Sequence, residues 1–312
     1  MAMTASGQAA TGKGRIAVDL DELIALRQRV AHAPLRQDMR AMIHVGQHAT
    51  RRRGRGMDYL ESRAYQAGDD VRHLDWRLTA RSGSLHTKVF QEEGEHRVML
   101  LIDTHASMRF GTREQFKSVQ AARAAALMAW QVTCSGGQVG ALAFGASRHI
   151  QVAASGRRGA LGACAALARW DATPGDGHSE KLASALQRMR PLLVHASHAV
   201  LVSDGHHCDD ATASLLAHWR RAMRVSVLVV TDPLESERPP AGRYAFSCDG
   251  RRVVANLDSL RARDDFRQAM AAPARRLEQA CRTAAIPCHG IDTREDPLPV
   301  VTALLGLARR RT

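Results

Sequence analysis

The sequence predicts an α/β fold: a doubly wound, mostly parallel sheet with an N-terminal mixed extension. Three observations lead there. Apolar runs of strand length, RVMLLID at 97–103, QVGALAF at 138–144, HAVLVSD at 198–204 and RVSVLVVTD at 224–232, are continuous rather than alternating, as in strands covered on both faces. Helical segments separate most of them, and a helix between two strands makes the crossover that a parallel pair needs. With 312 residues, the chain can bury the core such a sheet requires.

Along the chain, 1–15 has the small, polar composition of a disordered tail. Apolar residues at helical spacing, with acidic residues in the first turn, predict a helix over 19–30. The stretch from there through RRRGRG at 51–56 is weakly periodic and reads as loop with short strands. The strand at 97–103 leads to an Ala-rich helix over 112–134, and SRHIQVA at 147–153 offers a partner for the strand at 138–144. Helices follow near 158–169, 180–190 and 209–221. Asp249-Gly250 supplies the positive φ angles of a tight hairpin turn between YAFSC and RRVVA. A helix over 258–285, interrupted or offset by Pro273, a short strand in PCHGID and a final helix in PLPVVTALLGLARR complete the reading. The expected organisation is therefore a tail at 1–15, an extension at 16–96 and the α/β domain with C-terminal helices at 97–312.

Lys+Arg total 44 against 31 Asp+Glu, a net charge of +13 that favours acidic partners. Aromatic residues are 4%, which leaves few platforms for stacking nucleic-acid bases, although Arg51, Arg52, Arg53 and Arg55 form a basic run. Six scattered cysteines show no CxxC spacing and read as reduced thiols. The N-terminus lacks the apolar stretch of a signal peptide, and no apolar run approaches the ~20 residues of a membrane span. A soluble, cytoplasmic protein with no membrane insertion is expected.

Two predicted strand ends carry carboxylates, Asp103-Thr104-His105-Ala106-Ser107 and Ser203-Asp204-Gly205. This pattern resembles the metal-ion-dependent adhesion site of von Willebrand factor A domains, which belong to the same Rossmann-like class of sheets. The resemblance implies Asp103, Ser107 and Asp204 as ligands of Mg2+, a hard ion that takes oxygen ligands and leaves a position for a partner's carboxylate. His105 stands where the family has its first serine, and imidazole suits softer ions. The family's distant threonine corresponds to Ser179 or Glu180. The plain alternative makes Asp103 a cap for the helix that follows. Asp204-Gly205-His206-His207-Cys208-Asp209-Asp210 is rich in zinc-type ligands, but adjacent histidines chelate one ion poorly, and Asp209 and Asp210 suit a helix start.

Upstream, 54–92 reads GRGMDYLESRAYQAGDDVRHLDWRLTARSGSLHTKVFQE. Arg63, Tyr65, Gly68, Asp69, Asp70, Arg72, Asp75, Trp76, Thr79, Ala80, Arg81, Leu85, Lys88 and Glu92 match the signature of the domain of unknown function 58 family, and the chain resembles that family through the A-type domain. Read from the residues alone, Asp69, Asp70 and Asp75 interleave with Arg63, Arg72, Arg77 and Arg81 as in a network of Arg–carboxylate bonds, either docking the segment or forming a partner-binding surface. Trp76 is expected as its buried apolar anchor, with truncation costing roughly 3–5 kcal/mol. The resemblance implies a non-enzymatic adaptor that works with a MoxR-type AAA+ ATPase on a client protein. The chain has no phosphate-binding GxxxxGK[ST] loop of its own. A nucleic-acid-binding protein and a metal-dependent hydrolase using Asp103 and Asp204 are the alternatives.

Overall fold

The structure, a computed structural model, describes residues 14–31, 57–66, 69–92, 96–173, 180–248 and 251–306. In chain order its elements begin with α1 (Leu20–Ala31), β1 (Met57–Ala64), α2 (Trp76–Ser82), β2 (His86–Glu92) and β3 (Arg97–Asp103). Then come α3 (Lys117–Cys134), β4 (Gln138–Phe144), β5 (Ile150–Ser155), α4 (Gly156–Ala172) and α5 (Leu182–Met189). They continue with β6 (His198–Ser203), α6 (Thr212–Arg220), β7 (Arg224–Thr231), α7 (Pro233–Ser236), β8 (Arg243–Cys248) and β9 (Arg251–Asn256). The last are α8 (Leu260–Thr283), β10 (Cys288–Asp292) and α9 (Pro297–Gly306). Two compact units result, one of 37–95 and one of 1–36 with 96–312.

The larger unit is built on a six-stranded sheet of order β10-β7-β6-β3-β4-β5. All neighbours are parallel except β5, which runs antiparallel to β4 at the edge. The continuous apolar strands are explained by two cores. Val98, Leu100 and Ile102 of β3 point into one, with residues of α1, α3, α4 and α9. Met99 and Leu101 point into the other, with residues of α5, α6 and α8. Every second residue thus faces each layer, and both layers are apolar. The expected doubly wound, von Willebrand factor A-like sheet is present.

Three expectations change. The extension predicted over 16–96 divides, because α1 packs on α3 and α4 and belongs to the larger unit: Leu23, Leu26 and Val30 join its core, and Trp130 Nε1 donates to the Leu23 carbonyl at 3.0 Å. The helix at Pro273 is not interrupted, and α8 runs through it from Leu260 to Thr283. The ring removes one backbone bond, while Leu277, Ala280 and Cys281 bury the turns beyond it. The Ala-rich helix starts at Lys117 rather than 112, since 112–116 follow an irregular path before Phe116 caps it.

In the smaller unit β1 and β2 form an antiparallel pair with a bulge between Tyr59 and Glu61. Between them lie a 3-10 turn at Val71–His73 and α2. The signature residues hold these turns. Arg63 pairs with Asp69 through two bonds of 2.8 and 2.7 Å. Asp70 caps the 3-10 turn by accepting from the Arg72 N–H, and Asp75 caps α2 by accepting from the Leu78 N–H. Asp75 also accepts from Ser62 Oγ at 2.7 Å, and the Lys88 charge acts on it. Tyr65 N–H donates to the Leu85 carbonyl, and Arg81 lies in the exposed last turn of α2. Trp76 is the correction here: it is 68% exposed, not a buried anchor. It opens a two-turn helix with no buried residue, which has no core to receive an indole. Of the tail expected at 1–15, residues 1–13 lie outside the described residues, as do Arg51–Arg55, Gly68, Ser179 and the Asp249-Gly250 turn, while the carbonyls of Gly14 and Arg15 accept from Arg123 and from the Phe116 N–H.

Candidate functional site

The chain reverses direction across the sheet beside β3. From β3 it moves outward to β4 and β5, then returns to β6 on the other side and proceeds to β7 and β10. Such a switch point opens a crevice beyond the carboxyl ends of the strands. Asp103 ends β3, Ser203 ends β6, Asp204 follows it, and Asp232 follows β7. Because Ile102 pairs with Val202, Asp103 and Ser203 come level, and Ser203 Oγ donates to Asp103 Oδ2 at 2.6 Å.

Asp103 is buried and its second oxygen serves the loop it precedes. Oδ1 accepts from the His105 N–H at 2.9 Å and from His105 Nδ1 at 2.6 Å. Asp103 thus closes a turn on His105 instead of capping a helix, and the 3-10 helix that follows at Ala106–Met108 has no side-chain cap. His105 is buried as well, stacked on His207 with ring centroids 3.5 Å apart. Burial works against charge on the His105 ring, but the Asp103 hydrogen bond and charge outweigh it and raise the pKa above the ordinary 6.5. His207 moves the other way, lowered by burial and by the neighbouring His105. Gly145, at φ +93°, lets the His105 ring pack closely; a Cβ there would lie 2.6 Å from Nδ1. Ser107 Oγ is buried without a hydrogen-bond partner.

Asp204 is held by different groups. Oδ1 accepts from the His206 N–H at 3.0 Å, and His206 Nδ1 lies 3.2 Å from Oδ2. Lys117 Nζ donates to Oδ2 at 2.9 Å and to Glu235 Oε1 at 2.7 Å. The lysine side chain is wholly buried and its ammonium lies 5.6 Å from the centre of the Phe110 ring. Burial opposes charge on both partners, yet His206 and Lys117 hold Asp204 far below the usual carboxylate range, and Asp204 and Glu235 raise Lys117. Glu235 completes a capping box with Asp232. Asp232 accepts in turn from Thr112 Oγ1 at 2.5 Å and Thr293 Oγ1 at 3.1 Å. One polar network therefore ties together the ends of β6, β7 and β10 and the start of α3.

The predicted residues Asp103, His105, Ser107 and Asp204 thus gather at adjacent strand ends. Glu180 borders the same site: its backbone lies against His105, and its carboxylate accepts from the Gly145 backbone and from Arg188 at 3.0 and 2.9 Å. Lys117, Glu235 and Asp232 were not anticipated, though Asp232-Pro233-Leu234-Glu235 carries the D-x-x-E signal of a capping box. These donors do not fit Mg2+. All four oxygens of Asp103 and Asp204 already accept hydrogen bonds from the chain, and an imidazole fills the first serine position. An ion on Asp204 would also face the buried ammonium, and two unit charges ~4 Å apart repel by about 4 kcal/mol at an effective dielectric of ~20, twice that for a divalent ion. Among the described residues, no group of three His, Cys, Asp or Glu side chains is placed to hold a metal.

A family model described as "Protein of unknown function DUF58" matches residues 61–280, from within β1 into α8. The chain belongs to that family. Uncharacterized proteins of Mycobacterium bovis and Mycobacterium tuberculosis are 29% identical to this DUF58 chain over 301 residues, covering 93% of it and 91% of theirs. Among solved structures it is similar to an aerotolerance-related membrane protein from Bacteroides fragilis (TM-score 0.43, 15% identity, 67% of this chain and 96% of that one). It is also similar to a von Willebrand factor type A protein from Catenulispora acidiphila (TM-score 0.38, 12% identity, 70% of this chain and 42% of that one). Strand order, rather than these overlays, carries the fold assignment.

The cytoplasmic location expected from the sequence is corrected by the same comparisons. The Bacteroides fragilis neighbour is a membrane protein, and a further one from Vibrio fischeri (TM-score 0.24, 13% identity, 65% of this chain and 92% of that one) is membrane-spanning. The expectation rested on the lack of an apolar span, and such a lack does not place a chain in the cytoplasm. Among the described residues no helix is long and apolar enough to cross a membrane.

Proposed function

We propose that this DUF58 chain is a non-catalytic adaptor whose strand-end site binds another polypeptide. Its partner is a MoxR-type AAA+ ATPase, with which it acts on a client protein in maturation or assembly. The observation that carries the reading is the state of the paired carboxylates. Every oxygen of Asp103 and Asp204 is engaged by donors of the chain itself, which gives a preorganised surface rather than a poised base or nucleophile. The site lies at the switch point, where doubly wound sheets bind their ligands. His206, with its side chain 38% exposed, and exposed Ala106 and Arg109 supply a rim that a partner can touch.

The test is affinity capture of the tagged full chain from its native host, with captured proteins identified by mass spectrometry. The expected result is an AAA+ ATPase, its capture weakened roughly tenfold or more by Asp103→Asn and by His206→Ala while circular dichroism shows the fold intact. Capture without such an ATPase, or indifferent to both substitutions, contradicts the proposal.

A further inference from the structure

We infer that Lys117 takes the role of the divalent ion at the strand-end site, as a cation built into the chain, so that the site works without Mg2+. In the resemblance that Asp103, Ser107 and Asp204 carry, a metal would neutralise the carboxylates and tie the loops together. Here Lys117 Nζ ties two loops together and sets one positive charge between two carboxylates, bridging Asp204 Oδ2 at 2.9 Å and Glu235 Oε1 at 2.7 Å from the loops after β6 and β7. His105 serves Asp103 separately, from the position of the family's first serine.

Two further features support this inference. It is the first residue of α3, where the positive end of the helix dipole disfavours a cation, so the two carboxylates must supply what the helix opposes. The chain also uses lysine sparingly: of 44 Lys+Arg, four are Lys, at 13, 88, 117 and 181. An ammonium is a compact point charge that can sit between two carboxylates, whereas guanidinium is a planar fork needing more room. Nothing in this substitution depends on which partner the chain binds.

The test titrates the full chain with Mn2+, an oxygen-liganded stand-in for Mg2+ that is read by electron paramagnetic resonance. Wild type is expected to leave the free-ion signal undiminished, and neither Mg2+ nor EDTA is expected to move its melting temperature. Lys117→Ser is expected to melt earlier and to be raised again by Mg2+ or Mn2+, which replace the missing charge. Ser107 Oγ has no hydrogen-bond partner, so Ser107→Ala leaves the fold intact while removing a matched ligand. One Mn2+ bound per wild-type chain, and bound about tenfold more weakly by Ser107→Ala, overturns the inference. A metal-free Lys117→Ser that melts with wild type overturns it too. Should Lys117→Ser fail to fold, the Mn2+ titrations of wild type and Ser107→Ala still decide.

Discussion

At the first turn of α3, the Lys117 ammonium is cut off from water and answered by two carboxylates. Removing one member of such a buried set strands the others, and Lys117→Met is expected to cost about 3–5 kcal/mol in urea unfolding. Adding Glu235→Gln should return part of that loss; a deeper loss in the double variant would show that the ammonium does not balance Glu235. His198 tests the electrostatics away from the site. Burial first, then Arg224 and His96, hold its imidazole well below the ordinary 6.5, with Nε2 placed 3.0 Å from Ser226 Oγ. The unfolded chain takes up this proton near 6.5 while the folded chain resists it, so His198 adds stability above that pH and withdraws it on acidification. His207 acts in the same sense, and His105, with its raised pKa, in the opposite one. Unfolding free energies measured between about pH 7 and pH 5 should fall less steeply in His198→Asn than in wild type. Equal slopes would refute this.

At the scale of elements, the strands were the most legible part of the sequence because burial on both faces removes polar residues from them. Asp103, Ser107 and Asp204 were legible because they stand where those runs stop. Lys117 was not, since a charge in the first turn of a predicted helix reads as a solvated one, and only the fold brings it to Asp204, 87 positions away. Trp76 misled for the converse reason: aromatic residues among paired charges imply a core, but α2 is too short to build one. Trp76→Ala is therefore expected to change stability by no more than ~0.5 kcal/mol in thermal unfolding, and a core-sized loss would restore the buried reading. Gly205 links two elements. At φ +82° it turns the chain after Asp204, and a Cβ there would lie 2.5 Å from the Pro273 carbonyl of α8. Gly205→Ala should cost at least about 1–3 kcal/mol, and a neutral substitution would mean that α8 gives way easily.

At the scale of the molecule, the chain presents a switch-point crevice whose carboxylates are hydrogen-bonded by the chain itself and a smaller unit whose signature residues hold turns. Its fold class followed from the alternation of runs and helices; its family followed from the signature; its cation followed from neither. The proposed adaptor role requires that another polypeptide dock at the ends of β3 and β6. The most direct measurement is the affinity of the captured ATPase for purified wild type and for Asp103→Asn, read by isothermal titration calorimetry in matched buffers. A loss of roughly tenfold or more in the variant, with its melting curve preserved, is the predicted result. Equal affinities would place the docking surface elsewhere and contradict the account.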